Sequence, residues 1–97
     1  MPILRIEHPI IDFDTWKASF DRFDDFRKLS RVRSYRVLRP VDDAHYVVID
    51  LEFDSSSDAN AMLAGLRQHW RELEGTAVPV GTKPQALIAE AVDARRY

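Results

Sequence analysis

An aromatic stripe in the segment 10–23, IIDFDTWKASFDRF, constrains the fold more than any other feature of the sequence. The stripe consists of Phe13, Trp16, Phe20 and Phe23. Because these residues follow one another at steps of three, four and three, the pattern predicts one side of an α-helix. Asp12 is placed to cap the first turn, and Ile11 and Trp16 are spaced as a hydrophobic staple. Such a stripe needs an apolar surface to pack against, which the rest of the chain must supply.

Alternating apolar and polar residues predict four strands that could provide this surface. The predicted strands are 3–8, 32–39, 45–53 and 85–92. The third of them, HYVVIDLEF, keeps its alternation over nine residues and is the strongest strand signal in the chain. The arginines of the second strand suit an edge position, where charge discourages pairing with other chains.

A second helix is predicted between the third and fourth strands. Ser55, Ser56 or Ser57 is expected to cap it, and Gly75 is the expected C′ residue. Its apolar stripe comprises Ala59, Met62, Leu63, Leu66, Trp70 and Leu73. The segment 23–30, FDDFRKLS, is expected either to continue the first helix or to form a turn that returns Phe26 and Leu29 to the core.

The order strand, helix, strand, strand, helix, strand predicts an α+β protein of the ferredoxin-like βαββαβ type. This arrangement is a four-stranded antiparallel sheet with two helices on one face. A length of 97 residues predicts a single domain, 1–97, whose tail at 93–97 is expected to be partly disordered.

Composition excludes several classes of function. A net charge of −2 argues against nucleic acid as the main partner, since phosphate binding needs a basic face. The sequence has no cysteine, which removes disulfides, thiolate metal sites and thiol nucleophiles. We find no metal-ligand spacing among the histidines, no phosphate loop and no nucleophile elbow, and expect no cofactor. No apolar run is long enough to span a membrane, and we expect a cytoplasmic protein without a membrane partner.

Two helices cover only one face of the sheet, and the composition of the other face predicts a partner for it. Leu4, Ile6, Tyr35, Val37, Val47, Ile49, Leu51, Phe53, Leu87 and Ala89 are assigned to the helix side. The strand residues on the opposite face are a mixture of polar and apolar types, and this face is too apolar to be left fully in water. We therefore expect it to pack against a second copy of the chain, in a symmetric homodimer with a barrel-like interior. The expected interface carries Arg5, Glu7, Arg36, Tyr46, Val48, Asp50, Ile88 and Glu90. The alternative is a solvated face with scattered apolar residues.

The element order and the segment HPIIDFDTWKASFD together resemble the dimeric α/β-barrel superfamily. The similarity is greatest to a small bacterial group related to antibiotic-biosynthesis monooxygenases. The residues that carry it are His8, Asp12, Trp16, Lys17, Phe20 and Asp21, and the segment 34–54 resembles the central hairpin of that group. The resemblance implies a dimeric α/β barrel. The superfamily includes cofactor-independent oxygenases of polyketide quinols, haem-degrading enzymes and isomerases, so it does not by itself imply one activity.

Three functions remain open from the sequence. The first is binding of a small hydrophobic or aromatic metabolite, in one version by a cofactor-independent monooxygenase. In this reading His8 is the catalytic base, and the substrate is held by Trp16, Tyr35, Asn60 and Trp70. The second is a non-enzymatic binding or interaction module of the same fold, in which the aromatic stripe is plain core. The third is haem binding, for which the resemblance implies a helix histidine as iron ligand but does not assign that position to His69. His45 and His69 are otherwise expected to be exposed.

Overall fold

The computed structural model describes residues 1–73 and 84–97, without the side chains of 71–73. Its elements are β1 (Ile3–Pro9), α1 (Phe13–Arg22), α2 (Asp24–Leu29), β2 (Ser34–Leu38), β3 (Tyr46–Glu52), α3 (Ser56–Leu73) and β4 (Gln85–Ala89). The four strands form one antiparallel sheet in the order β2-β3-β1-β4. The predicted α+β architecture is therefore confirmed. The helix end predicted at Gly75 lies outside the described residues.

Helix α1 begins where the sequence predicts. The Asp12 carboxylate accepts a hydrogen bond from the Thr15 backbone amide at 2.9 Å, which satisfies one of the free donors of the first turn. Ile11, the predicted staple residue, is 53% exposed, whereas Ile10 is only 2% exposed and belongs to the core. Ile10 is fixed instead by its backbone amide, which donates to the His45 carbonyl at 2.8 Å and joins the β1–α1 turn to the start of β3.

The segment 23–30 forms a separate short helix, α2. Phe23 ends α1 outside the helical region, at φ −96° and ψ 16°, and the chain turns there. Phe26 packs against the core as expected, but Leu29 is 85% exposed and does not return to it.

Helix α2 ends in a Schellman motif. The Val32 amide donates to the Arg27 carbonyl and the Arg31 amide donates to the Lys28 carbonyl, each at 3.1 Å. Arg31 takes the left-handed position of this motif at φ 69°, which glycine usually occupies. The motif fixes the direction in which the chain leaves α2 for β2.

Helix α3 starts at the predicted serines. The Ser55 hydroxyl accepts from the Asp58 backbone amide at 3.2 Å, directly before the first helical residue. Ala59, Met62 and Leu63 are buried. No helix within the described parts of the chain combines the length and the apolarity that a membrane span requires.

The core lies between one face of the sheet and the helices α1 and α3. It consists of Leu4, Ile6, Ile10, Trp16, Val47, Ile49, Leu51, Phe53, Ala59, Met62 and Leu63. The opposite face of the sheet, which we call the open face, carries Ile3, Arg5, Glu7, Ser34, Arg36, Leu38, Tyr46, Val48, Asp50, Glu52, Gln85, Leu87 and Ala89. The predicted faces of β1, β2 and β3 are therefore correct.

The predicted faces of β4 are inverted. Ile88 pairs with the buried Leu4, and directly paired residues lie on the same face of a sheet. Ile88 therefore packs on the core and does not belong to the open face. Leu87 pairs with Arg5, lies on the open face and is 54% exposed. Glu90, also assigned to that face, follows the end of β4 and is exposed.

Candidate functional site

His8 is a buried histidine at the end of β1. It pairs with Val47 on the helix side of the sheet, and it is 7% exposed. Its Nδ1 lies 2.9 Å from the Pro9 carbonyl oxygen. Because a carbonyl can only accept, Nδ1 carries the proton, and Nε2 is left with a free lone pair. No hydrogen bond from a described residue reaches Nε2.

Burial lowers the pKa of His8, and the hydrogen bond to the Pro9 carbonyl offsets this only in part. The imidazole is therefore neutral at pH 7. A neutral imidazole with a fixed tautomer, whose Nε2 has no partner among the described residues, can accept a proton from a hydroxyl group placed beside it.

Four rings follow one another from β1 across α1 to β2, and we call them the aromatic row: His8, Trp16, Phe20 and Tyr35. The His8 and Trp16 rings meet edge to face, with centroids 6.2 Å apart. Trp16 stacks on Phe20 at 5.0 Å, and Phe20 meets Tyr35 edge to face at 5.0 Å. These separations are those of direct aromatic contact. The structure thus brings together three of the predicted site residues, His8, Trp16 and Tyr35.

Arg27 completes the row and is a residue that the sequence did not indicate. Only 5% of it is exposed, and its guanidinium carbon lies 3.7 Å from the centre of the Phe20 ring and 5.2 Å from that of Tyr35. Its Nη1 donates to the Phe20 carbonyl at 2.7 Å, and its buried Nε has no partner among the described residues. An arginine at position 27 carries no local signal of burial, because its position depends on the turn between α1 and α2.

Two predicted substrate-binding residues do not join the row. Asn60 is exposed, and its amide donates to the Ser56 carbonyl one turn earlier in α3 at 2.9 Å. Trp70 is half-buried against the core on α3, and no ring contact among the described residues links it to the aromatic row. His45 is exposed as expected, with Nδ1 2.9 Å from the Ile11 carbonyl. His69 is also exposed, with its ring against Phe26.

The open face is held by an ion-pair network centred on Asp50. Arg5 binds both carboxylate oxygens from β1, through Nε at 2.7 Å and Nη2 at 2.8 Å, and Arg36 binds one from β2 at 3.0 Å. Asp50 is 5% exposed although no helix covers it. The hydrogen bond from Arg5, then that from Arg36, lowers the pKa of Asp50 against the opposing effect of burial. Asp50 is therefore ionised at neutral pH.

A second polar pair lies beside this network. The Tyr46 hydroxyl donates to a Glu7 carboxylate oxygen at 2.8 Å, and this bond raises the pKa of Tyr46. Within residues 1–73 and 84–97, no group of three or more His, Cys, Asp or Glu side chains is arranged to hold a metal ion.

The topology and the packing define a ferredoxin-like α+β protein. A solved structure that it resembles is that of a dimeric ferredoxin-like protein from an uncultured marine organism, with a TM-score of 0.61 and 8% sequence identity over 100% of both chains. At this identity the likeness establishes the fold alone. Neither a family model nor a curated protein matches the sequence.

Proposed function

We propose that the protein is a homodimer that binds a small aromatic metabolite beside Trp16, with His8 as its acid–base group. The observation that carries this proposal is the state of His8, which is buried, neutral and tautomerically fixed, with no partner for Nε2 among the described residues. An aromatic ligand that stacked on Trp16 or met it edge to face would extend the aromatic row, and we propose that its hydroxyl lies beside Nε2. The sequence resemblance to the group related to antibiotic-biosynthesis monooxygenases supports the same assignment.

A phenol or quinol is the ligand class that uses both features of the site. His8 would remove the hydroxyl proton, and a ring carbon of the electron-rich anion would form a bond to molecular oxygen and, after protonation, give a hydroperoxide. Cleavage of its O–O bond with loss of a ring C–H proton would release water and leave a quinone, so the substrate itself supplies the electrons and no cofactor is needed. The protein would supply the base and a desolvated surface that orients the ring. This chemistry is the enzymatic form of the proposal, and the cytoplasm is the location that we propose for it.

The open face is the proposed dimer interface. Its large apolar residues Ile3, Leu38, Val48 and Leu87 alternate with the Asp50 network, and packing two such faces together would enclose both. A second copy supplies a face of the same shape and composition. The structural relative is itself described as dimeric. The interface would give the dimeric α/β barrel that the resemblance implies.

A non-enzymatic binding or interaction module is the second candidate. The observation in its favour is the close contact within the aromatic row, since Phe20 already stacks on Trp16 and meets Tyr35. Asn60, which would orient a substrate, points away from the row to its own helix. In this reading the row is core, and the dimer itself is the functional unit.

Titration with 2-naphthol distinguishes the two candidates. Tryptophan fluorescence should be quenched saturably in a Trp70→Phe variant, which reports on Trp16 alone. His8→Gln should weaken binding, whereas the matched control Asn60→Ala should leave it unchanged. If His8→Gln and the unsubstituted protein bind equally well, His8 is not part of the site.

Oxygen uptake with a bound quinol tests the enzymatic form of the proposal. Light scattering at micromolar protein concentration tests the homodimer.

A further inference from the structure

A groove of about 310 Å³ lies between α2 and α3, away from the helix–sheet contact that holds the aromatic row. Its lining residues are Phe26, Leu29, Ser30, Arg31, Asp58, Ala61, Met62 and Gly65. The floor is apolar, and a pair of opposite charges stands at the mouth. Both the volume and the lining are in the range of small-molecule sites.

Gly65 keeps one wall of this groove open. It lies inside α3, where glycine is less favourable than alanine. A Cβ atom at this position would meet no atom within 4 Å, so packing within the chain does not require glycine there. Within the described residues, α3 thus has a glycine where an added Cβ would be unobstructed, on the wall of a groove that Met62 and Phe26 also line.

The backbones that carry these two charges are fixed on opposite sides of the groove. Arg31 is set by the Schellman motif at the end of α2, and Asp58 lies in the first turn of α3, where its amide is bound by Ser55. Arg31 Nη1 and Asp58 Oδ1 are 3.6 Å apart, which is longer than a hydrogen bond. Arg31 is largely exposed, and each group keeps capacity for a further partner.

We propose that this groove binds an apolar α-amino acid as its zwitterion. The carboxylate would pair with Arg31 and the ammonium group with Asp58, while the side chain would lie on Phe26 and Met62 beside Gly65. The charge complementarity argues for this class, because a zwitterion matches both members of the pair at once. A ligand with a single charge would compete for one member and leave the other without its partner.

Titration of the ¹⁵N-labelled full chain with L-leucine tests the proposal. The expected result is a saturable set of amide shifts confined to residues 26–31 and 58–65. L-leucinamide lacks the carboxylate and 4-methylpentanoate lacks the amine, so each should bind about tenfold more weakly, the loss of one charged contact. Equal binding of all three compounds, shifts centred on other residues, or no saturable shift would each overturn the proposal.

Variants on one helix provide the matched control. Gly65→Leu should fill the groove and abolish the shifts, whereas Ala64→Leu, at an exposed position outside the groove, should leave them unchanged. Gly65→Ala serves as the milder variant and should weaken binding while preserving the fold. Arg31→Asn suits the left-handed backbone and should weaken L-leucine binding without weakening that of L-leucinamide. Undiminished L-leucine binding in Gly65→Leu or in Arg31→Asn would contradict the site.

Discussion

The two faces of the sheet share the same strands but are stabilised by different interactions. On the helix side, Leu4, Val47 and Phe53 are fully buried among apolar neighbours from α1 and α3. On the open face, the most buried side chain is the Asp50 carboxylate, covered by two arginines that are themselves partly in water. Burial on the first face is non-directional, whereas burial on the second depends on specific hydrogen bonds.

This difference indicates that the two faces contribute differently to stability and to the choice of packing partner. Removing an apolar group from the helix side leaves a cavity, and the loss in the free energy of unfolding increases with the volume of that cavity. Removing a charge from the open face leaves the arginines exposed to water, which can replace much of the lost interaction. We therefore expect the helix side to dominate the free energy of unfolding, and the open face to determine which surface packs against it. Four experiments test this comparison.

Trp16→Ala should lower the free energy of unfolding more than the other substitutions. Trp16 is 6% exposed and touches His8, Phe13 and Phe20, so its truncation removes the centre of the aromatic row. The expected loss in the free energy of unfolding is about 3–5 kcal/mol, measured by urea denaturation. A loss below about 1 kcal/mol would show that the side chain occupies a roomy site and that the helix side is less well packed than its burial indicates.

Ile88→Ala and Leu87→Ala form the next test, since these neighbours in β4 lie on opposite faces. Ile88 packs on the core, and its truncation should cost about 1–2 kcal/mol, in keeping with partial burial. Leu87 is 54% exposed, and its truncation should change the stability of one protomer by less than about 0.5 kcal/mol. Urea denaturation measures both. If Leu87→Ala is the costlier change at low protein concentration, the assignment of faces is reversed.

The same pair shows how far the sequence could predict the structure. In β1, β2 and β3 an apolar set alternates with a polar one, and burial of the apolar set determines the face. In the predicted strand 85–92 each face carries a large aliphatic residue, an alanine and a polar residue, Gln85, Leu87 and Ala89 against Ala86, Ile88 and Glu90. Hydrophobicity does not distinguish such faces, and only the pairing with β1 does.

The candidate site was predictable to a similar degree. The positions of His8 and Trp16 follow from the end of β1 and the periodicity of α1. The burial of Arg27 and the position of Asn60 outside the site do not follow from the sequence. Both depend on the turn at Phe23 and on the orientation of the helices. Tertiary contacts of this kind have no local sequence pattern.

Asp50→Asn should have an intermediate effect. It removes the charge that Arg5 and Arg36 share, but in a separated protomer those side chains are 43% and 65% exposed and regain water. The variant is therefore compared with the unsubstituted protein at a concentration low enough to separate the protomers. The expected loss in the free energy of unfolding is about 1 kcal/mol, discounted for this solvent access. Glu52→Gln is the matched control on the same strand and face, where Ser34 is a distant partner at 3.5 Å, and should have less effect. Equal losses for the two variants would show that the network adds nothing specific.

The pH dependence of the Asp50 contribution has a defined sign. The pKa of Asp50 is lowered in the folded state, so the unfolded state binds the proton more readily. The stabilisation is present above the usual carboxyl pKa and is lost as the pH falls from there through the lowered pKa. Acid unfolding of Asp50→Asn should lack this part of the pH dependence.

Protonation of His8 should contribute least to the free energy of unfolding at neutral pH. Its imidazole is uncharged in the folded state and largely uncharged in the unfolded state. Its pKa in the folded protein is lowered by burial, so the unfolded state takes up a proton first as the pH falls. Stability should therefore be greatest above the ordinary histidine pKa of about 6.5, fall below it, and level off beneath the lowered pKa. Urea denaturation of the parent and of His8→Gln at several pH values measures this slope. If the two proteins show the same slope between pH 7 and pH 5, His8 is solvated, and its place on the buried side of the sheet must be reconsidered.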